Sequence, residues 1–276
     1  MSDTIIVGLT DAAASHRAVQ WAARRAHDLG QRLVLFSVVG GAVGAVGEDA
    51  VVQRVVAAAT ERVAVTVAEL TASGLEVESR VTHGDPVALL VEASKDAALL
   101  VIGGEPRGRG RRGQHGARLA AGAHCPVVVV PEVGGVDRHG VIVGVDGSET
   151  SNAAIAFAAA EAERLRQPLR VVAAWMPVAV PGDFGVYPDV YLSDLQGITQ
   201  ENVDRVVEAV AADHPTLEVT AEVSEGDPAG VIGDHAAHAT LVVVGSHGRS
   251  GFARFLLGSV SEEVLSHLVA VTAVVR

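Results

Sequence analysis

Aromatic residues make up only 3% of this 276-residue chain. Rings therefore cannot fill the core, and an apolar share of 49% must do so through Val, Ala and Leu. Val-rich runs favour buried strands and Ala-rich runs favour helices. Cysteine is limited to Cys125, which excludes an intramolecular disulfide or a cysteine metal cluster and fits a reducing cytosol. Its place ahead of Val127 to Val130 marks it as a buried, inert thiol. Positive charge is also scarce. The formal net charge of -12 argues against a general nucleic-acid binder, whose affinity rests on Lys and Arg neutralising phosphates. The longest uncharged stretch, Leu33 to Gly47, is too short for a membrane span and is broken by four glycines. At the N-terminus, Asp3 and Asp11 bracket Ile5-Ile6-Val7 where a secretory leader would carry basic residues. A soluble cytoplasmic protein is expected, with neither membrane nor nucleic acid as partner.

What is present is one unit written twice. Thr4-Ile5-Ile6-Val7-Gly8 reappears as Gly140-Val141-Ile142-Val143-Gly144. Each is followed by a polar turn and an alanine-rich helical stretch, Ser15 to Asp28 and Ser151 to Leu165, with Trp21 and Phe157 at matching places as core anchors. Second strands follow at Leu33 to Phe36 and Leu169 to Trp175. Long helical patterns run over Ala50 to Ala72 and Val190 to Asp213, and alternating strands over Leu75 to Glu78 and Leu217 to Thr220. Gly84-Asp85-Pro86 is echoed by Gly226-Asp227-Pro228, Asp as N-cap and Pro opening a helix. Leu99 to Gly103 then pairs with Leu241 to Gly245, and apolar strands close each copy at Val127 to Val130 and Val271 to Val275. The alternation predicts parallel sheets with helices on both faces. Residues 1–131 and 140–276 are the expected domains, joined by a polar linker at 132–139.

The stretch with most chemistry is Val244-Gly245-Ser246-His247-Gly248-Arg249, followed, with nine residues intervening after Gly248, by Gly258-Ser259-Val260-Ser261. Glycines let main-chain N–H groups approach an anion, and a helix start presents unpaired N–H groups with a positive dipole end. No Lys-Ser/Thr pair follows, so this is not a Walker A loop. In a parallel sheet it lies at a strand's carboxyl end, as does Gly144-Val145-Asp146-Gly147-Ser148.

The tandem repeats, the Asp146 turn and the Gly-x2-Gly-x9-Gly-Ser motif together resemble the universal stress protein family over nearly the whole chain. The resemblance implies two flavodoxin-like (Rossmann-like) α/β domains, each a five-stranded mainly parallel sheet with helices on both faces, and ATP as ligand. It further implies that Asp146 hydrogen-bonds the nucleoside and that the backbone around Ala174 meets adenine. Val244, Gly245, His247 and Gly248 would line the ribose and phosphate path. Gly258, Ser259, Val260 and Ser261 would hold the phosphates. Arg249 would either screen phosphate charge or face solvent. Mg²⁺ would arrive with ATP, held by phosphates and water. The closing strands of such domains pair across a two-fold or pseudo-two-fold axis, so intramolecular pairing and a homodimer are expected, with an unknown protein partner besides.

Copy one departs at each diagnostic point. Thr10 replaces Asp146, Pro106 replaces Gly248, and Gly116 is followed by Ala117 in place of serine. The expectation is ATP in copy two and weak or no binding in copy one. The arginines of copy one's loop, Arg107, Arg109, Arg111 and Arg112, leave open a solvated loop or an anionic contact. Phe184, Tyr187 and Tyr191 leave open an adenine cover or an interface. No metal site is expected: the 11 histidines are scattered, and His235 and His238 lack a third ligand. Neither a lysine nor a paired-carboxylate metal site serves copy two, so efficient phosphoryl transfer is not expected and no catalytic residue is assigned. A slow ATPase and a scaffold that binds no nucleotide stand as alternatives to a nucleotide-dependent regulator.

Overall fold

A computed structural model describes residues 3–40, 48–104, 114–132, 138–177, 189–248 and 256–276. The chain divides into two compact units, the first chiefly Met1–Glu132 and the second chiefly Val133–Ala253 and Leu257–Arg276. The first contains β1 (Thr4–Gly8), α1 (Ala13–Leu29), β2 (Arg32–Val39), α2 (Glu48–Ala72), β3 (Val77–His83), α3 (Pro86–Ala93), β4 (Leu99–Gly104), α4 (Gln114–Gly122) and β5 (Val127–Pro131). The second repeats the series as β6 (Val141–Gly144), α5 (Glu149–Leu165), β7 (Leu169–Trp175), α6 (Asp189–Asp213), β8 (Val219–Glu225), α7 (Pro228–Ala236), β9 (Leu241–Gly245), α8 (Ser259–His267) and β10 (Val271–Val275).

The strand order in the first unit is β3-β2-β1-β4-β5, and in the second β8-β7-β6-β9-β10. Neighbours within each unit run parallel, which requires a crossover between them. This Rossmann-like order reverses direction between the first and fourth strands. Crossovers to either side leave from that point, so a crevice opens at the carboxyl ends of β1 and β4, and equally of β6 and β9. Phe36 accepts a main-chain bond from Leu9, and Val172 accepts its counterpart from Val145, both at 2.9 Å. The two copies are thus in the same register where they matter.

Buried strands carry the cores. Ile5, Val7, Leu33, Leu35, Leu99 and Val101 are fully enclosed in the first unit, as are Val141, Val143, Leu169, Val171, Leu241 and Val243 in the second. Ala18, Ala22 and Ala26, with Ala154, Ala158 and Ala162, are buried on α1 and α5, where small side chains let the helices approach the sheet. Trp21 is buried in this layer, whereas Phe157 is only half-buried. Cys125 is buried. Asp85 and Asp227 cap α3 and α7 through side-chain oxygens, with Pro86 and Pro228 as first helical residues.

The third strands of both copies differ from the pattern read in the sequence. They begin at Val77 and Val219, two residues late, and extend to His83 and Glu225. Leu75 instead closes the end of α2, its N–H donating to Leu70 after Gly74 takes a positive φ of 91°. Leu217 likewise turns back onto His214. Among the described residues no helix is long and apolar enough to cross a membrane.

Candidate functional site

The carboxyl ends of β6 and β9 lie side by side, Val143 paired with Val243. Chain leaving β6 is held tightly. A methyl group on Gly144 would lie 2.6 Å from Ile232 Cδ1, so the strand end is packed against α7. The turn beyond is built around Asp146. Its main-chain N–H donates to Ser151 Oγ (3.1 Å), and the Ser151 hydroxyl returns a bond to Asp146 Oδ1 (2.6 Å). Oδ1 also accepts from the Ser148 N–H at 3.0 Å, a side-chain turn that tolerates the left-handed Gly147, φ 78°. Ser148 then caps α5 by accepting from the Ser151 N–H.

The loop leaving β9 is fixed from three sides. Ser246, buried, donates its N–H to Val275 (2.6 Å) and accepts at its carbonyl from Gly258 (2.8 Å). Its hydroxyl meets His247 Nδ1 at 3.0 Å, which orients the ring. Thr150 donates its hydroxyl to the His247 carbonyl at 2.5 Å, and Ser261 donates to the Gly245 carbonyl at 2.5 Å. Gly258 caps α8 with φ -65° and ψ 151°, and among the described residues no side-chain cap bond closes that helix start. Its main-chain N–H groups there carry the positive end of the helix dipole.

The two stretches meet at glycines. A methyl group on Gly248 would lie 2.6 Å from Asp146 Oδ2, and one on Gly258 would lie 3.3 Å from His247 Cα and 3.6 Å from Gly248 N. A carboxylate, a glycine main chain and an open helix start therefore share one place, a combination that can accept from hydroxyl or amino groups and donate to an anion. Ser259 is exposed and Val260 half-buried on the first turn of α8. The Ser261 hydroxyl is directed to Gly245, and Val244 is buried in the sheet. Ala174 is next to last in β7, the strand beside β6. Arg249, Phe184, Tyr187 and the arginines from 107 to 112 lie outside the described residues, while Tyr191 is half-buried near the start of α6. Among the described residues no group of three or more His, Cys, Asp or Glu could hold a metal ion.

A family model for universal stress proteins matches residues 1–131 and again 138–276. The chain belongs to the universal stress protein family. A universal stress protein of Mycobacterium tuberculosis is 33% identical over 276 residues, covering 94% of this chain and 92% of its own. Another, from Mycolicibacterium smegmatis, is 30% identical over 295 residues and covers 99% and 96%. The crystal structure of a universal stress protein from Archaeoglobus fulgidus superposes with a TM-score of 0.72 over 100% of this chain and 99% of its own. Its 18% identity bears on the fold alone.

The first universal stress protein repeat keeps the frame and differs at the residues of the candidate site. Ser15 accepts from the Thr10 N–H as Ser151 does from Asp146, but with no carboxylate opposite, its hydroxyl turns to the Gly8 carbonyl at 3.0 Å. Thr10 Oγ1 accepts from Ala12, preserving the shape of the turn without its charge. A methyl on Gly103 would lie 2.5 Å from Ala14 C and Ser15 N, so α1's backbone closes on the strand end where α5 presents Thr150 to Gly245. Gly116 lies inside α4, whereas its counterpart Gly258 precedes α8. Leu119 occupies the Ser261 position and is buried.

Thr150, Ser151 and Ser246 carry much of this geometry and were not singled out from the sequence. Ser15 and Ser151 do recur five residues after Thr10 and Asp146, a signal the repeat itself contained. Thr150 faces Ala14 in the repeat alignment, so only the contrast between copies marks it.

Proposed function

We propose that this universal stress protein binds ATP in its second repeat and that occupancy changes its conformation or its association with a second chain or another protein. One observation carries the proposal: Asp146 and the open start of α8 converge on Gly248, where any side chain would fill the space. The residues present fit the ligand. The Asp146 carboxylate accepts from ribose hydroxyls or the adenine amino group, and main-chain N–H groups from Gly248 and from Ser259 to Ser261 donate to phosphate oxygens. Gly144, Val145 and Ala174 border the base through main chain, with Val244, Gly245 and His247 along the ribose. Mg²⁺ would come with the phosphates and their water, since the chain supplies no dedicated cluster among the described residues.

Each neutral hydrogen bond contributes about 0.5–1.5 kcal/mol net. Micromolar affinity needs about 8 kcal/mol, so the contacts must act together. The first repeat lacks the carboxylate and the glycine helix start, and its strand end is closed by α1, so it is proposed to bind ATP weakly or not at all. Mass spectrometry of small molecules released from the purified protein tests the proposal. Released ATP, up to one per chain, supports it; no nucleotide released and none taken up on addition would favour a scaffold with a vestigial pocket.

A further inference from the structure

We propose that Thr150 is a positioning residue for the ligand of the second repeat: its hydroxyl sets the His247–Gly248 peptide so that the Gly248 N–H is turned toward the start of α8. The ligand half of this inference rests on the ATP proposal above. The geometric half does not.

The direction of the hydrogen bonds can be worked out from proton supply. Ser151 gives its hydroxyl proton to Asp146 Oδ1, and Thr150 gives its own to the His247 carbonyl. A hydroxyl has one proton. Ser148, whose oxygen accepts from the Ser151 N–H, holds the remaining proton, with the Thr150 and Ser151 hydroxyl oxygens at 3.0 and 3.2 Å to receive it. The first turn of α5 thus holds both halves of the site, Ser151 aligning Asp146 and Thr150 aligning the loop from β9. That turn begins a 17-residue helix packed along the sheet, a firm base for positioning.

The peptide between His247 and Gly248 is trans, so its C=O and N–H point in opposite directions. With the carbonyl drawn toward α5 by Thr150, the Gly248 N–H faces away from α5. Gly248 N is 3.6 Å from a methyl position on Gly258, the residue capping α8. An N–H turned that way joins the helix-start N–H groups in one donor set for a phosphate. The close approach depends on Gly245, where a methyl would lie 3.2 Å from Thr150 Oγ1.

The first repeat supplies an internal control. Ala14 stands at the Thr150 position and Pro106, which has no N–H, at the Gly248 position. The donor and the hydroxyl that would aim it are absent together.

The test uses the full chain with Thr150→Val and Thr150→Ser. Without ligand, ¹⁵N relaxation at Gly248 should give an order parameter of about 0.85 in the wild type and Thr150→Ser, falling below about 0.6 in Thr150→Val. With ligand, Thr150→Val should weaken ATP about tenfold and adenosine less than about twofold, and Thr150→Ser should restore ATP to within about threefold. A Gly248 amide unchanged in Thr150→Val, or equal loss of ATP and adenosine not rescued by serine, would overturn the proposal. If the wild type binds no ATP, the ATP proposal fails while the relaxation result still decides whether Thr150 positions the loop. Should Thr150→Val not fold, Thr150→Ala, the residue of the first repeat, is held to the same outcomes.

Discussion

Asp146 Oδ2 lies 2.6 Å from where a methyl group on Gly248 would sit, although the two residues are far apart in the chain. The obstructing atom is the end of a short side chain, so the fold can yield there by swinging the carboxylate aside. Its bonds from Ser148 and Ser151 would then be lost or lengthened. Gly248→Ala should weaken ATP binding about tenfold while leaving the melting temperature within about 2 °C, because a displaced surface carboxylate costs little stability. Calorimetry of binding and of unfolding on the same sample checks both halves.

Gly103 and Gly245 occupy equivalent positions but should respond differently to alanine. At Gly103 the methyl meets Ala14 and Ser15 backbone at 2.5 Å, and backbone cannot step aside. At Gly245 it meets Thr150 and the His247 carbonyl at 3.2–3.3 Å. Urea unfolding should show Gly103→Ala destabilised by about 3 kcal/mol or more, and Gly245→Ala by about 1 kcal/mol.

Thr10→Asp restores the missing carboxylate to the first repeat and should not restore binding. α1's backbone still closes on Gly103, Gly116 still lies within α4, and Leu119 still fills the Ser261 position. ATP stoichiometry measured for Thr10→Asp should equal that of the wild type.

Arg164 donates to Glu161 Oε2 through Nη2 at 2.7 Å and Nε at 3.1 Å, and both side chains are buried on α5. Arg164→Met leaves a buried carboxylate without its guanidinium and should cost about 3 kcal/mol or more in urea unfolding. Adding Glu161→Leu should recover part of that loss, since the carboxylate that lost this guanidinium is removed with it.

Much of this was readable in the sequence because the repeat is written in strong signals. Period, glycine punctuation and the Asp-Pro helix starts placed both sheets and aligned Asp146 with Thr10 and Gly258 with Gly116. Strand limits at Val77 and Val219 were not readable, since Leu75 and Leu217 look like alternating strand residues and are used to close helices. The site's hydroxyl network was not readable either. Ser and Thr bond locally in almost any turn, and nothing in Ser148, Thr150 or Ser151 tells which partner each takes. Closure of the first repeat's strand end by Ala14 is a packing fact, invisible until α1 and β4 are seen together.

The most direct test of a single competent repeat is isothermal titration of the full-length chain with ATP, for the wild type and for Asp146→Ala. One ATP per chain, lost in Asp146→Ala, is the expected result. Two per chain, or binding that survives Asp146→Ala unchanged, would contradict it.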